Sequence, residues 1–149
     1  MAHIHARLAA TRIPPVDRIV AILRGGRTPA AMLGAIHGAP VEGVRVRFRD
    51  DHHRPLSAHP VLLSPIPRRH STRPTLIVDD VVNTGATLEL VRSSISGPTV
   101  TMTLRGDADI TVFPEMTACV EWPWSRAPAI NRLSPRRPPF EIGMPRSER

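Results

Sequence analysis

The stretch Thr75-Leu76-Ile77-Val78-Asp79-Asp80-Val81-Val82-Asn83-Thr84-Gly85-Ala86-Thr87 decides how the rest of the chain is read. From Leu76 to Val78 every side chain is apolar, the pattern of a strand covered on both faces and therefore central in a parallel sheet. Two acids end the run. A turn of small residues follows, and Ala86 to Ile95 reads as a helix closed by Ser96-Gly97-Pro98. This layout sets carboxylates beside backbone N–H groups at a helix start, which suits a sugar phosphate. Neighbours on a strand point to opposite sides, so Asp79 and Asp80 can share a ligand only where the backbone turns at the strand end. A ribose with vicinal hydroxyls is such a ligand, because carboxylates accept from hydroxyls and bind hard cations. The plainer alternative is a pair of acids that ends a strand and caps the next helix.

On the N-terminal side, Ala2 to Ala10 is a short helix stopped by Ile13-Pro14-Pro15. Asp17 to Leu23 reads as a buried strand, Arg24-Gly25-Gly26-Arg27 as a turn, and Thr28-Pro29 as a helix start with threonine as cap. The helix runs to Gly38, and Glu42 to Phe48 forms the next strand, with Val44, Val46 and Phe48 on one face. Residues 50 to 74 mix acids, histidines and prolines around Val61-Leu62-Leu63, a mobile loop or short hairpin. Beyond the central segment come a strand from Thr99 to Leu104 and a short last strand from Ala118 to Glu121. Alternation in this order predicts an α/β fold, a mostly parallel central sheet flanked by helices with right-handed crossovers. Residues 1–125 form one domain in this reading, and 126–149 a tail rich in Pro and Arg that wraps the surface or is partly disordered.

With 149 residues, 41% of them hydrophobic, the chain can bury one sizeable core. The net charge of +7 invites a nucleic-acid partner, but many arginines lie in turns or beyond Ser125, Tyr is absent and Phe occurs three times. A ligand with several phosphates accounts for the surplus as well. Cys119 is the only cysteine, which excludes an intrachain disulfide or a cysteine metal cluster. Neither a signal peptide nor a bilayer-length apolar run is present, so a cytoplasmic location is expected.

The segment from Thr75 to Thr87 resembles the signature of the type I phosphoribosyltransferases, which bind 5-phosphoribosyl-1-pyrophosphate (PRPP). The resemblance implies transfer of the phosphoribosyl group to a nucleobase or related heterocycle with release of pyrophosphate. It implies that Asp79 and Asp80 meet the ribose, that Asn83, Thr84, Gly85, Ala86 and Thr87 hold the 5-phosphate, and that Mg2+ accompanies PRPP beside the two acids. Arg24-Gly25-Gly26 falls where the family places its pyrophosphate loop, although a plain tight turn reads equally well. The xanthine–guanine enzymes of bacteria are especially similar in pattern, with a small hood over the acceptor. Asp50-Asp51-His52-His53 then opens the loop that closes over the reactive centre. His52 and His53 can bind a metal, but a histidine pair without further ligands at fixed spacing is weak evidence of a site, and solvated loop histidines read equally well.

The base pocket departs from that pattern. Arg105 stands where the relatives usually have lysine, and arginine donates through a planar fork of different reach. Val120-Glu121-Trp122-Pro123-Trp124 resembles the segment that closes the pocket, but Cys119 takes the position of a stacking aromatic. Either Trp122 takes over the stacking or the pocket accepts something other than a flat purine. Asn83 replaces an aspartate beside the base, and an amide cannot relay a proton at neutral pH. Two rival readings remain: a non-catalytic PRPP sensor acting on RNA or a partner protein, and a general nucleotide-binding α/β domain. The resemblance also implies a homodimer or homotetramer.

Overall fold

The computed structural model describes residues 1–48, 56–118 and 120–125. In chain order these form α1 (Ala2–Ala10), β1 (Arg18–Leu23), α2 (Arg27–His37), β2 (Val41–Arg47), β3 (Val61–Leu62), β4 (Thr75–Val81), α3 (Ala86–Ser93), β5 (Thr99–Arg105) and β6 (Ile110–Thr111). The strands order as β3-β2-β1-β4-β5-β6. All neighbours pair in parallel except β2 and β3, where Val46 faces Leu62 and Arg47 faces Val61.

The period-2 alternation of the central strands divides the core into two layers. Ile19, Ala21, Leu76, Val78, Met102 and Leu104 face Ile4 and Leu8 of α1 and Ala30 and Leu33 of α2. Val20, Ile22, Val44 and Ile77 face Leu88 and Val91 of α3, with Ile95 just beyond it. Leu76, Ile77 and Val78 are almost wholly buried, each stabilising the fold by roughly 1.5–3 kcal/mol. That two-sided burial is why no polar residue interrupts the run before Asp79. The sequence reading of a central strand holds.

Two readings are corrected. Thr28 does not cap α2: the helix starts at Arg27 with Gly26 as N-cap and no side-chain cap bond. Pro29 therefore lies inside the first turn, where its missing N–H leaves no intrahelical bond unmade. The last strand is Ile110–Thr111, paired with Met102 and Thr103, and the described residues from Ala118 to Glu121 form no strand. Between 50 and 74 the apolar piece Val61–Leu62 is an edge strand on β2, the hairpin alternative. The Asp50-Asp51-His52-His53 segment, Cys119 and the tail from 126 lie outside the described residues.

At the N-terminal end of the sheet, Arg18 is only 2% exposed. It donates to Glu42 Oε2 (2.8 Å), to the carbonyl of Pro67 (2.8 Å) and to Thr75 Oγ1 (3.3 Å). Arg69 donates to the other Glu42 oxygen at 2.7 Å. One carboxylate thus pins the 64–74 segment beneath β1 and β2.

Candidate functional site

Strand β1 has β2 on one side and β4 on the other, so the chain changes direction across the sheet between β1 and β4. Open α/β sheets bind ligands at such a switch point, outside the carboxyl ends of the strands. Two segments singled out in the sequence meet there. After β1 come Arg24, Gly25 and Gly26; after β4 come Val82 to Gly85. Helices α2 and α3 begin directly behind these turns and direct their N-terminal amides and positive dipole ends to this edge.

The contact between the turns is close. A Cβ built on Gly25 would lie 2.1 Å from Asp80 Oδ1, and one on Gly26 would lie 2.2 Å from the carbonyl oxygen of Val78. Only glycine lets the first turn approach β4 this far. The turn is held by the Gly26 N–H donating to Ile22 O (2.8 Å) and the Arg27 N–H donating to Arg24 O (3.2 Å), and the Leu23–Arg24 peptide is cis. Gly85, the N-cap of α3, has φ +76°, a conformation side-chain-bearing residues rarely adopt. Asn83 and Thr84 are exposed in the turn before it, and Gly85, Ala86 and Thr87 are half-buried.

Asp79 and Asp80 are half-buried, and Asp79 Oδ1 accepts the Asp80 backbone N–H at 2.9 Å. Burial, then the adjacent Asp80 carboxylate, holds the Asp79 carboxyl well above the usual carboxylate range. Burial also raises Asp80, opposed by the Val81 N–H and the Trp124 indole, which favour its charged form. Two crowded carboxyl groups at the end of β4 suit a ligand that brings hydroxyls or a cation. Behind them, buried Thr103 donates through its one hydroxyl proton to the carbonyl oxygens of Asp80 (3.2 Å) or Arg105 (2.9 Å).

Arg105 ends β5 at the same sheet edge and donates to the Thr117 carbonyl at 2.9 Å. Val120, partly buried, packs against the core. Trp122 is 4% exposed, 6.1 Å from Phe113 between ring centroids, so the structure places it in the core rather than on an open pocket wall. The half-buried ring beside Asp80 is Trp124, stacked on Trp122 at 5.6 Å with planes 7° apart. Its sequence context, Trp-Pro-Trp, carried no sign of which ring turns inward. Gly106 was also missed: at φ +105° it packs a would-be Cβ 2.1 Å from the Val82 carbonyl oxygen. Behind the turn after β4, a cavity of about 260 Å3 lies between α3 and the β5–β6 connection, lined by Gly85, Leu88, Arg92 and Asp109. It includes neither paired acid.

The fold and this edge define an open α/β domain with a polar, glycine-lined crevice between two helix N-termini at its switch point. The model of the phosphoribosyl transferase domain matches residues 3–95, more than half of the chain, and the chain belongs to that family. It is an enzyme of that type. Over 88% of its length it is similar to the purine phosphoribosyltransferase of Pyrococcus horikoshii, with 26% identity, 90% of that chain covered and a TM-score of 0.62. The xanthine–guanine–hypoxanthine phosphoribosyltransferase of Helicobacter pylori shares the fold at 19% identity, with 74% and 78% of the two chains covered and a TM-score of 0.57. So does a hypoxanthine–guanine enzyme of Bacillus anthracis, at 14% identity, 75% and 76% coverage and a TM-score of 0.55. These relatives single out no branch, so the family stands and the finer xanthine–guanine pattern read in the sequence is not distinguished from the other branches. Among the described residues no helix is long and apolar enough to cross a membrane.

Proposed function

We propose that the protein transfers the 5-phosphoribosyl group of PRPP to a ring nitrogen of a purine-like heterocycle and releases pyrophosphate. One observation carries this reading: the Arg24–Gly26 turn lies against Asp80 across the switch point, so one phosphorylated sugar can span both turns. Asp79 and Asp80 orient the ribose hydroxyls and offset positive charge developing at C1, while the amides of residues 83–87 and the hydroxyls of Thr84 and Thr87 take the 5-phosphate. Arg24 and the amides of Gly25 and Gly26 take the pyrophosphate as it leaves. Arg105 and Val120 border the acceptor, with Trp122 as packing behind them.

The donor set fits Mg2+. Among the described residues no group of three or more His, Cys, Asp or Glu could hold a resident ion, but two crowded carboxylates suit one that enters on substrate phosphates. Bound there, it would neutralise charge on the pyrophosphate. A cytoplasmic homodimer or homotetramer with residues 1–125 as the catalytic domain completes this reading. The Asn83 amide supports a second one, PRPP sensing without turnover, because it cannot relay a proton from the acceptor. Pyrophosphate release should be followed with PRPP, Mg2+ and a panel of purines, pyrimidines and other heterocycles. Release with at least one acceptor supports transfer. Tight PRPP binding with no release from any of them supports the sensor, and no binding of PRPP sinks both.

A further inference from the structure

We infer that Trp124 is a positioning residue, its indole N–H aimed at the Asp80 carboxylate opposite the Gly25 turn and closing on it in the orientation that the donor ribose meets. The inference rests on the phosphoribosyl reading of the site for its functional meaning, but its geometry stands in the ligand-free protein. A ring ladder runs from the core to the crevice. Phe113 is 1% exposed, Trp122 packs on it, and Trp124 stacks on Trp122 with nearly parallel planes. The ladder fixes the plane of Trp124, and with it the direction of the ring's one donor. That Nε1–H is buried, closes no hydrogen bond among the described residues, and lies toward Asp80.

Asp80 is confined on its other side by the Gly25 backbone. Its carboxylate therefore sits between the Gly25 backbone, which leaves no room for a Cβ while Asp80 stays in place, and an indole edge that can only donate. A phenylalanine at position 124 would stack on Trp122 as well. What tryptophan adds is the buried N–H, costly to leave unmade and strengthened when its acceptor is charged. Catalytic hydrogen bonds are often long in the free protein and tighten on the ligand, which fits a donor aimed at Asp80 but not yet closed on it.

The test uses the indole N–H resonances of the 15N-labelled full chain, where Trp124→Phe and Trp122→Phe assign the two signals. Asp80→Asn is expected to move the Trp124 signal and leave that of Trp122 in place. An unmoved Trp124 signal overturns the inference. This arm needs no donor, so it decides the matter even if PRPP fails to bind and the functional reading falls. With PRPP and Mg2+, calorimetry on Trp124→Phe is expected to show affinity lowered about tenfold at unchanged melting temperature. Parental affinity in that variant would overturn the positioning role. Should Trp124→Phe fold poorly, Trp122→Phe assigns the two signals by elimination and the Asp80→Asn spectrum decides.

Discussion

Gly25 and Gly26 are neighbours in one turn, yet they limit different things. A methyl on Gly25 meets the Asp80 carboxylate, a side chain that can swing away. Gly25→Ala should therefore keep the fold and lower PRPP affinity at least about tenfold, read by calorimetry. A methyl on Gly26 meets the carbonyl oxygens of Val78 and Ile22, which belong to central strands and cannot yield. Gly26→Ala should cost roughly 1–3 kcal/mol of stability in chemical denaturation. The paired acids make the opposite trade. Burial and mutual repulsion raise Asp79 in the folded state, so folding favours its protonated form. The free protein should lose stability as pH climbs from the ordinary carboxylate range through the raised folded value. Asp79→Asn removes that penalty and should raise the melting temperature by a few degrees at neutral pH while abolishing PRPP binding. A melting temperature unchanged or lowered there would contradict the burial argument.

At the scale of elements, the sheet edge that holds the site is stabilised partly from the far end. Arg18, the first residue of β1, is buried, and its charge is met by Glu42 on β2 while the Pro67 carbonyl takes a second bond. Glu42 also receives Arg69, so its loss would strand one buried cation and release another. Glu42→Ala should cost about 3 kcal/mol or more in chemical denaturation, since breaking a buried pair leaves an uncompensated charge. A change of a few tenths would mean the network is only surface decoration. The sequence showed Arg18 at the start of a buried strand but not the partners that meet its charge. An arginine there is usually solvated, and only pairing of β1 with β2 and β4 brings Glu42, Thr75 and Pro67 within reach.

For the whole molecule, the positive surplus and the two helix N-termini both favour a ligand carrying several phosphates. Thermal melts should separate the phosphoribosyl reading from a general nucleotide site. PRPP with Mg2+ at about 100 times its dissociation constant stabilises the fold by about 2.7 kcal/mol, and AMP or ATP at equal concentration should give much less. Equal shifts from all three would favour the general nucleotide-binding domain. The affinity should also fall as salt rises, because the attraction between a chain of net charge +7 and a polyanion is screened.

Local pattern alone established the alternating α/β order, the central strand ending in two acids, and the glycine-bearing turns. Each of these is written in a short window: a buried strand shows as an unbroken apolar run, and a sharp turn before a helix shows as small residues. What the chain order could not convey was proximity. That Gly25 touches Asp80 across more than fifty residues, that Trp122 goes into the core while Trp124 lies beside the acids, and that Ile110–Thr111 rather than 118–121 closes the sheet depended on strand order and close packing. Side chains of the same type are told apart only by the volume left to them once the sheet is assembled.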